Sequence, residues 1–192
     1  MLQRLLFGLI TVTTLSLAGC ANSPQVLSPS PRLTSQLAPV GQGQQVIVRV
    51  VDGRASQTLG TRGGLYPETS GVTVNGSDIV PKLQAQAEAA VRLLGYTPSG
   101  SGPTLTVTLA DLKYQSPKDG VYVTEATISA AFRADVVSGS HRYSGRYAAS
   151  LDQRFGMAPN QETNTRLVGD VLSDALTRVF KDATIGQTLN QQ

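Results

Sequence analysis

The side chains able to do chemistry are few and scattered. The 192 residues include one histidine, His141, and one cysteine, Cys20. Nucleophilic catalysis needs a base within hydrogen-bond reach of the nucleophile and a third group to orient that base. His141 follows Ser138-Gly139-Ser140, a solvated turn sequence at the start of a strand, and the chain has no G-x-S-x-G elbow. A zinc site needs several closely spaced His, Cys or carboxylate ligands. Glycoside hydrolysis needs a facing carboxylate pair. The 13 Asp and Glu residues form no such grouping. Gly60-Thr61-Arg62-Gly63-Gly64 lacks the Lys-Ser/Thr of a phosphate loop and opens no helix. The expectation is a protein that is not an enzyme and uses no cofactor and no metal. One polar cluster stands out: Asp52, Arg54 and Arg62, just after the first strand, where loops commonly carry binding groups. It reads in two ways. Asp-Gly-Arg is ordinary turn chemistry, so an ion pair pinning the loop is preferred. The alternative is an anionic ligand gripped by the guanidinium forks.

Cys20 has a different chemistry. Residues 1–20 read MLQRLLFGLITVTTLSLAGC. Arg4 supplies a positive charge, and Leu5 to Leu17 form an uncharged apolar stretch too short to be a permanent span. Leu17-Ala18-Gly19-Cys20 matches a lipobox, in which small residues fit the lipoprotein signal peptidase and the thiol receives diacylglycerol. The pattern predicts a signal peptide over 1–19 and lipidation of Cys20. One acyl chain binds a membrane only marginally, whereas two or three hold a protein there effectively irreversibly. Ala21, not Asp, follows the cysteine. By resemblance to the sorting pattern of Gram-negative lipoproteins, this implies the outer membrane and a domain facing the periplasm.

Residues 21–44 are rich in Pro, Ser, Gln and Gly without a sustained period. They read, with the lipidated Cys20, as a flexible tether over 20–44, spanning about 27 Å as a coil. The alternative is an extended arm docked through Val26, Leu27, Leu33 and Leu37. Residues 45–192 then make one domain. Gln45–Val51 is a β-branched run that predicts a strand buried on both faces. Val72–Val74 adds a short strand. Ser77 or Asp78 caps a helix carrying Val80, Leu83, Ala87, Ala90, Val91 and Leu94 on one face, ended by Gly95. Three strands follow, over 104–114, about 121–137 and 141 to about 155. The second alternates Ala126, Ile128, Ala130, Phe132, Ala134 and Val136 against Glu125, Ser129, Arg133 and Asp135, so one face is buried and one is wet. Asn160 caps a last helix with an apolar stripe from Leu167 to Phe180. The predicted class is α+β: a mostly antiparallel sheet with two helices on one face, in the order β-α-β-β-β-α.

Net charge is +3 with no basic run, which argues against a nucleic-acid partner. The stretch VIVRVVDGRASQTLGTR, with Asp52-Gly53-Arg54 and Leu59-Gly60, then Leu93-Leu94-Gly95-Tyr96 and the helix around Asp170–Asp182, resembles the YajG family of Gram-negative lipoproteins. The resemblance implies an envelope lipoprotein of unassigned biochemical role and transfers no site residue. The function expected is a non-catalytic binding or assembly module for another envelope protein or a cell-wall component. The alternative is an auxiliary lipoprotein of a transport system, holding a lipid or small ligand in a groove. A continuous apolar pocket would favour the alternative.

Overall fold

A computed structural model of the protein describes residues 23–63, 67–117 and 125–191. The predicted signal peptide, Cys20 and residues 121–124 of the second long strand lie outside them. The described elements are β1 (Gln25–Leu27), β2 (Gln45–Asp52), β3 (Thr58–Thr61), β4 (Gly71–Val74), α1 (Gly76–Leu93), β5 (Thr97–Pro98), β6 (Thr104–Gln115), β7 (Glu125–Ser138), β8 (His141–Arg154), α2 (Gln161–Lys181) and α3 (Ala183–Leu189). The class is α+β, with a mixed but mostly antiparallel sheet of eight strands.

The sheet is built on an antiparallel meander, β6-β7-β8, whose period-two alternation sends Ile128, Phe132, Leu105 and Val107 into the core. The other edge of β6 is shared. β2 lies parallel to its first half, from Ile47 opposite Thr104 to Asp52 opposite Leu109. A bulge between Leu109 and Asp111 re-aims β6, and β3 joins its second half at Gly60 opposite Tyr114. Gly60 has φ of 148°, and a Cβ there would collide with the Tyr114 carbonyl, so the Leu59-Gly60 step is a packing requirement. β4 pairs antiparallel with β3, and β1 pairs parallel with β4.

The sheet differs from expectation at β2. Only Val46 and Val48 are buried, while Val51 is 46% exposed. The helices lie on one side only, so the opposite face of β2 meets water. Past β5, the free edge of β2 is closed by a side chain. Gln84 of α1 accepts from Val50 N (2.8 Å) and donates to Val48 O (3.0 Å), standing in for a neighbouring strand. α1 begins after Asn75, not Ser77 or Asp78, and Ile79 faces the core where Val80 was expected. Gly95 closes α1 with φ of 89°, and Tyr96 folds back into the core. α2 is capped by Asn160, which accepts from Thr163 N (2.8 Å), and α2 packs across β7 and β8. α3 was not foreseen. Asp182 ends α2 and caps α3 through Thr184 N (2.8 Å).

Candidate functional site

The predicted polar cluster separates into two places. Asp52 and Arg54 form a two-point pair, Nε to Oδ1 at 2.8 Å and Nη2 to Oδ2 at 2.7 Å, with Nη2 also donating to Val74 O. The Arg54 side chain is 3% exposed. Hydrogen bonding from Arg54 holds the Asp52 carboxyl below the usual carboxylate range, against the effect of burial. Arg54 thereby fastens the loop after β2 to the end of β4.

Arg62 lies elsewhere, buried, with no carboxylate among its described partners. Its Nη2 donates to the carbonyl of Ser23 (2.5 Å). Around it is an interior polar chain. The Gln25 and Asn164 amides meet at 2.7 Å, and the Tyr114 hydroxyl donates to Asn164 Oδ1 (3.1 Å). In one orientation of its amide Gln25 donates to Pro159 O (3.3 Å); in the other it accepts from Arg62 Nη1 (3.3 Å) and Gln161 N (3.2 Å). Burial pushes the Arg62 guanidinium below its ordinary value and the Tyr114 phenol above its own. The cluster thus ties the point where the chain enters the domain to β6 and to the first turn of α2.

From that point the chain is not the free tether first expected. β1 adds a strand to the sheet, Leu27 is 1% exposed, and Pro29 and Pro31 are buried. The arm then lies along α2. Arg32 N donates to Ser173 Oγ (2.9 Å), and Thr34 N to Thr177 Oγ1 (3.0 Å). Gly169, Ser173 and Thr177 are four residues apart and share one face, where small side chains let another backbone approach. α1 holds the arm at both ends. Lys82 Nζ bridges Ser28 Oγ (2.7 Å) and Asp78, and Val40 N and Gly41 N donate to Leu94 O (2.9 and 2.8 Å). Leu33 and Leu37 pack on the core between these points. Prolines suit such a path, since each removes a donor that would need a partner. The sequence signal was the Gly-Ser-Thr stripe on α2, which belongs to neither the apolar nor the charged face.

The remaining titratable group of note joins β8 to the helix junction. Tyr143 and Tyr147 both donate to Asp182 Oδ2, at 2.6 Å each. Burial, then the Asp182 contact, pushes the Tyr147 phenol well above its ordinary value. Burial alone would raise Asp182, but the two phenols and the Thr184 N–H outweigh it and hold the carboxyl low. The shared carboxylate braces β8 against the junction of α2 and α3. His141 is exposed at the far hairpin. Among the described residues no group of His, Cys, Asp and Glu is placed to hold a metal, and no helix is long and apolar enough to cross a membrane.

Two hollows flank the arm. One, of about 890 Å³, opens beside α2 and is lined mainly by polar side chains, among them Arg32, Glu162, Arg166 and Asp170. The other, about 280 Å³, is lined by Leu37, Val40, Leu94 and Phe180.

In its described part the protein is a one-sided α+β sheet that carries its own N-terminal arm across two helices. The chain belongs to the Lipoprotein_16 family of uncharacterized lipoproteins, whose model matches residues 31–190 and so takes in much of the arm. Among solved structures, protein XCC0632 from Xanthomonas campestris is similar with a TM-score of 0.54 at 10% identity, over 88% of this chain and 99% of that one. A minor lipoprotein from Acinetobacter baumannii is similar with a TM-score of 0.44 at 9% identity, over 75% and 91%. The first of these likenesses speaks for the fold alone. No curated protein matches the sequence.

Proposed function

We infer that this lipoprotein is a non-catalytic binding or assembly module, lipidated at Cys20, held in the outer membrane and facing the periplasm. The lipobox Leu17-Ala18-Gly19-Cys20 and the lipoprotein family support the anchor, and Ala21 supports the outer membrane. The resemblance to the YajG family is in keeping with this reading. Cys20→Ser removes the acyl acceptor, so fatty-acid labelling in cells should be lost. Equal label in wild type and mutant would sink the anchor.

The observation that carries the binding role is the filled seam between the helices. The place where a helix-covered sheet would take up a lipid is occupied by residues 28–40 of the same chain. Of the two hollows beside it, the apolar one is small, about 280 Å³, and the larger, about 890 Å³, is an open groove that carries Arg32, Glu162, Arg166 and Asp170, unlike the mostly apolar cavity of a small-molecule site. This weighs against the transport-auxiliary alternative and in favour of contact through the surface. β1 and β5 are short and Gln84 closes the edge of β2, whereas β8 pairs with β7 alone among the described strands over its 14 residues. An unpaired edge of that length is a template for another chain. The partner is another envelope protein or a cell-wall component, and no nucleic acid is involved. A photoreactive residue placed at Ser144 or Ser150 of the acylated protein should give a discrete crosslinked product in intact cells. Stoichiometric bound lipid in the purified protein, or turnover of ester, phosphoester or peptidoglycan substrates, would refute the reading.

A further inference from the structure

The chain between anchor and fold is short, and where it enters fixes which end of the domain meets the membrane. Sequence reading allowed a tether of about 27 Å. The docked arm removes nearly all of it, since the Ser23 carbonyl is already held by the buried Arg62 guanidinium. From Cys20 to Ser23 the chain reaches at most about 11 Å when fully extended. That is comparable with the headgroup layer on one side of a bilayer, about 5–8 Å.

The sheet register says what shares that end. Gln25 lies opposite Val72, and Thr61 opposite Gly71. Gly60 lies opposite Tyr114, Gln115 opposite Thr127, and Glu125 opposite Arg154. The entry point, Arg62, the end of β6, the start of β7 and the end of β8 therefore lie together. The loop from β8 to α2 caps the same end, and its Met157 is 84% exposed, the most exposed large hydrophobic side chain among the described residues. Gly139 and Ser140, which turn β7 into β8, mark the opposite end. The charges near the entry end do not make it cationic. Arg154 is matched by Glu125 (3.7 Å), and Glu68 and Glu162 lie on neighbouring turns.

We propose that the domain rests on the bilayer holding its acyl chains by this end, with Met157 entering the headgroup region and the β7–β8 turn pointing away. The inference depends on lipidation of Cys20 and adds to it an orientation and a contact surface. Attraction to anionic lipid is not the source of the contact. A lipid surface is the fitting occupant because the leash of about 11 Å keeps this end beside the membrane whatever else the protein binds.

The test uses the full acylated lipoprotein in vesicles of phosphatidylethanolamine, with and without phosphatidylglycerol. Met157→Cys and Ser140→Cys are compared after each is labelled with an environment-sensitive fluorophore; the acylated Cys20 sulfur does not react. With headgroup-spin-labelled lipid, quenching should be several-fold greater for the probe at 157 than for that at 140, and the same in both vesicle types. Equal quenching at the two positions, or greater quenching at 140, would overturn the orientation. Quenching at 157 that appears only with phosphatidylglycerol would overturn the leashed contact. Mass spectrometry of the same samples separates the two readings. Acylated protein with an unquenched probe at 157 refutes the orientation alone, and protein without diacylglycerol on Cys20 refutes the anchor and the orientation together.

Discussion

Thr177→Val tests the docked arm with little change of shape. Thr177 is 2% exposed and its Oγ1 accepts from both Thr34 N (3.0 Å) and Thr34 Oγ1 (3.1 Å), while donating to Ser173 O (2.7 Å). Valine keeps the branched volume and the χ1 restriction but leaves the Thr34 N–H without an acceptor. An orphaned, partly buried donor costs about 1–3 kcal/mol. The lost hydroxyl donor adds little, because Ser173 O remains within helix α2. The arm is the only element that loses a partner, so the cost should appear first as local opening of residues 28–37. Amide hydrogen exchange reads it directly: the Thr34 amide should be protected in wild type and exchange faster in the variant, tenfold for about each 1.4 kcal/mol. Urea unfolding should show a loss of similar size if arm and domain unfold together. Exchange of the wild-type Thr34 amide at unstructured rates would refute the docked arm, as would identical exchange in the variant.

Phe132→Ala, at a fully buried site, should cost about 3–5 kcal/mol. Arg133→Ala, whose side chain is 59% exposed, should cost within about 0.5 kcal/mol, so equal urea midpoints would contradict the β7 register. Asp52→Ala leaves the Arg54 guanidinium buried without its carboxylate and should cost about 3–5 kcal/mol; a change near zero would mean that the loop reorganises to hydrate it. The Asp182 carboxyl is held below its ordinary 3.8, so its stabilisation is fully present above that value and is lost as pH falls through the lower folded value. Acid unfolding of Asp182→Asn should accordingly be less steep in pH than that of wild type, and superimposable curves would remove Asp182 from the acid response.

The long elements were legible because each carries its own periodicity. β6, β7 and α2 bury the residues that alternation and the apolar stripe pointed to, β8 buries Ala149 and only partly covers Tyr143, Tyr147 and Leu151 at the sheet edge, and Gly95 ends α1 where a left-handed residue is required. Length and pattern suffice there, since period two or 3.6 over a dozen residues leaves one way to bury the apolar set. The lipobox is likewise a local signal. The short strands β1, β3 and β5 hold two to four residues each, too few to show a period, and exist only because a neighbouring edge offers backbone partners. The candidate cluster shows the same division. Asp52 and Arg54 are two residues apart and pair locally, as turn chemistry suggested. Arg62 is drawn away because Gly60 brings β3 against Tyr114, which delivers the guanidinium to Ser23, a residue 39 positions earlier in the chain. The arm is the clearest case. Its composition is that of a linker, and sequence alone determined only that it cannot form a core of its own; α1 and α2, packed on one face of the sheet, supply the seam and the hydroxyls that give its backbone and leucines a place to be buried.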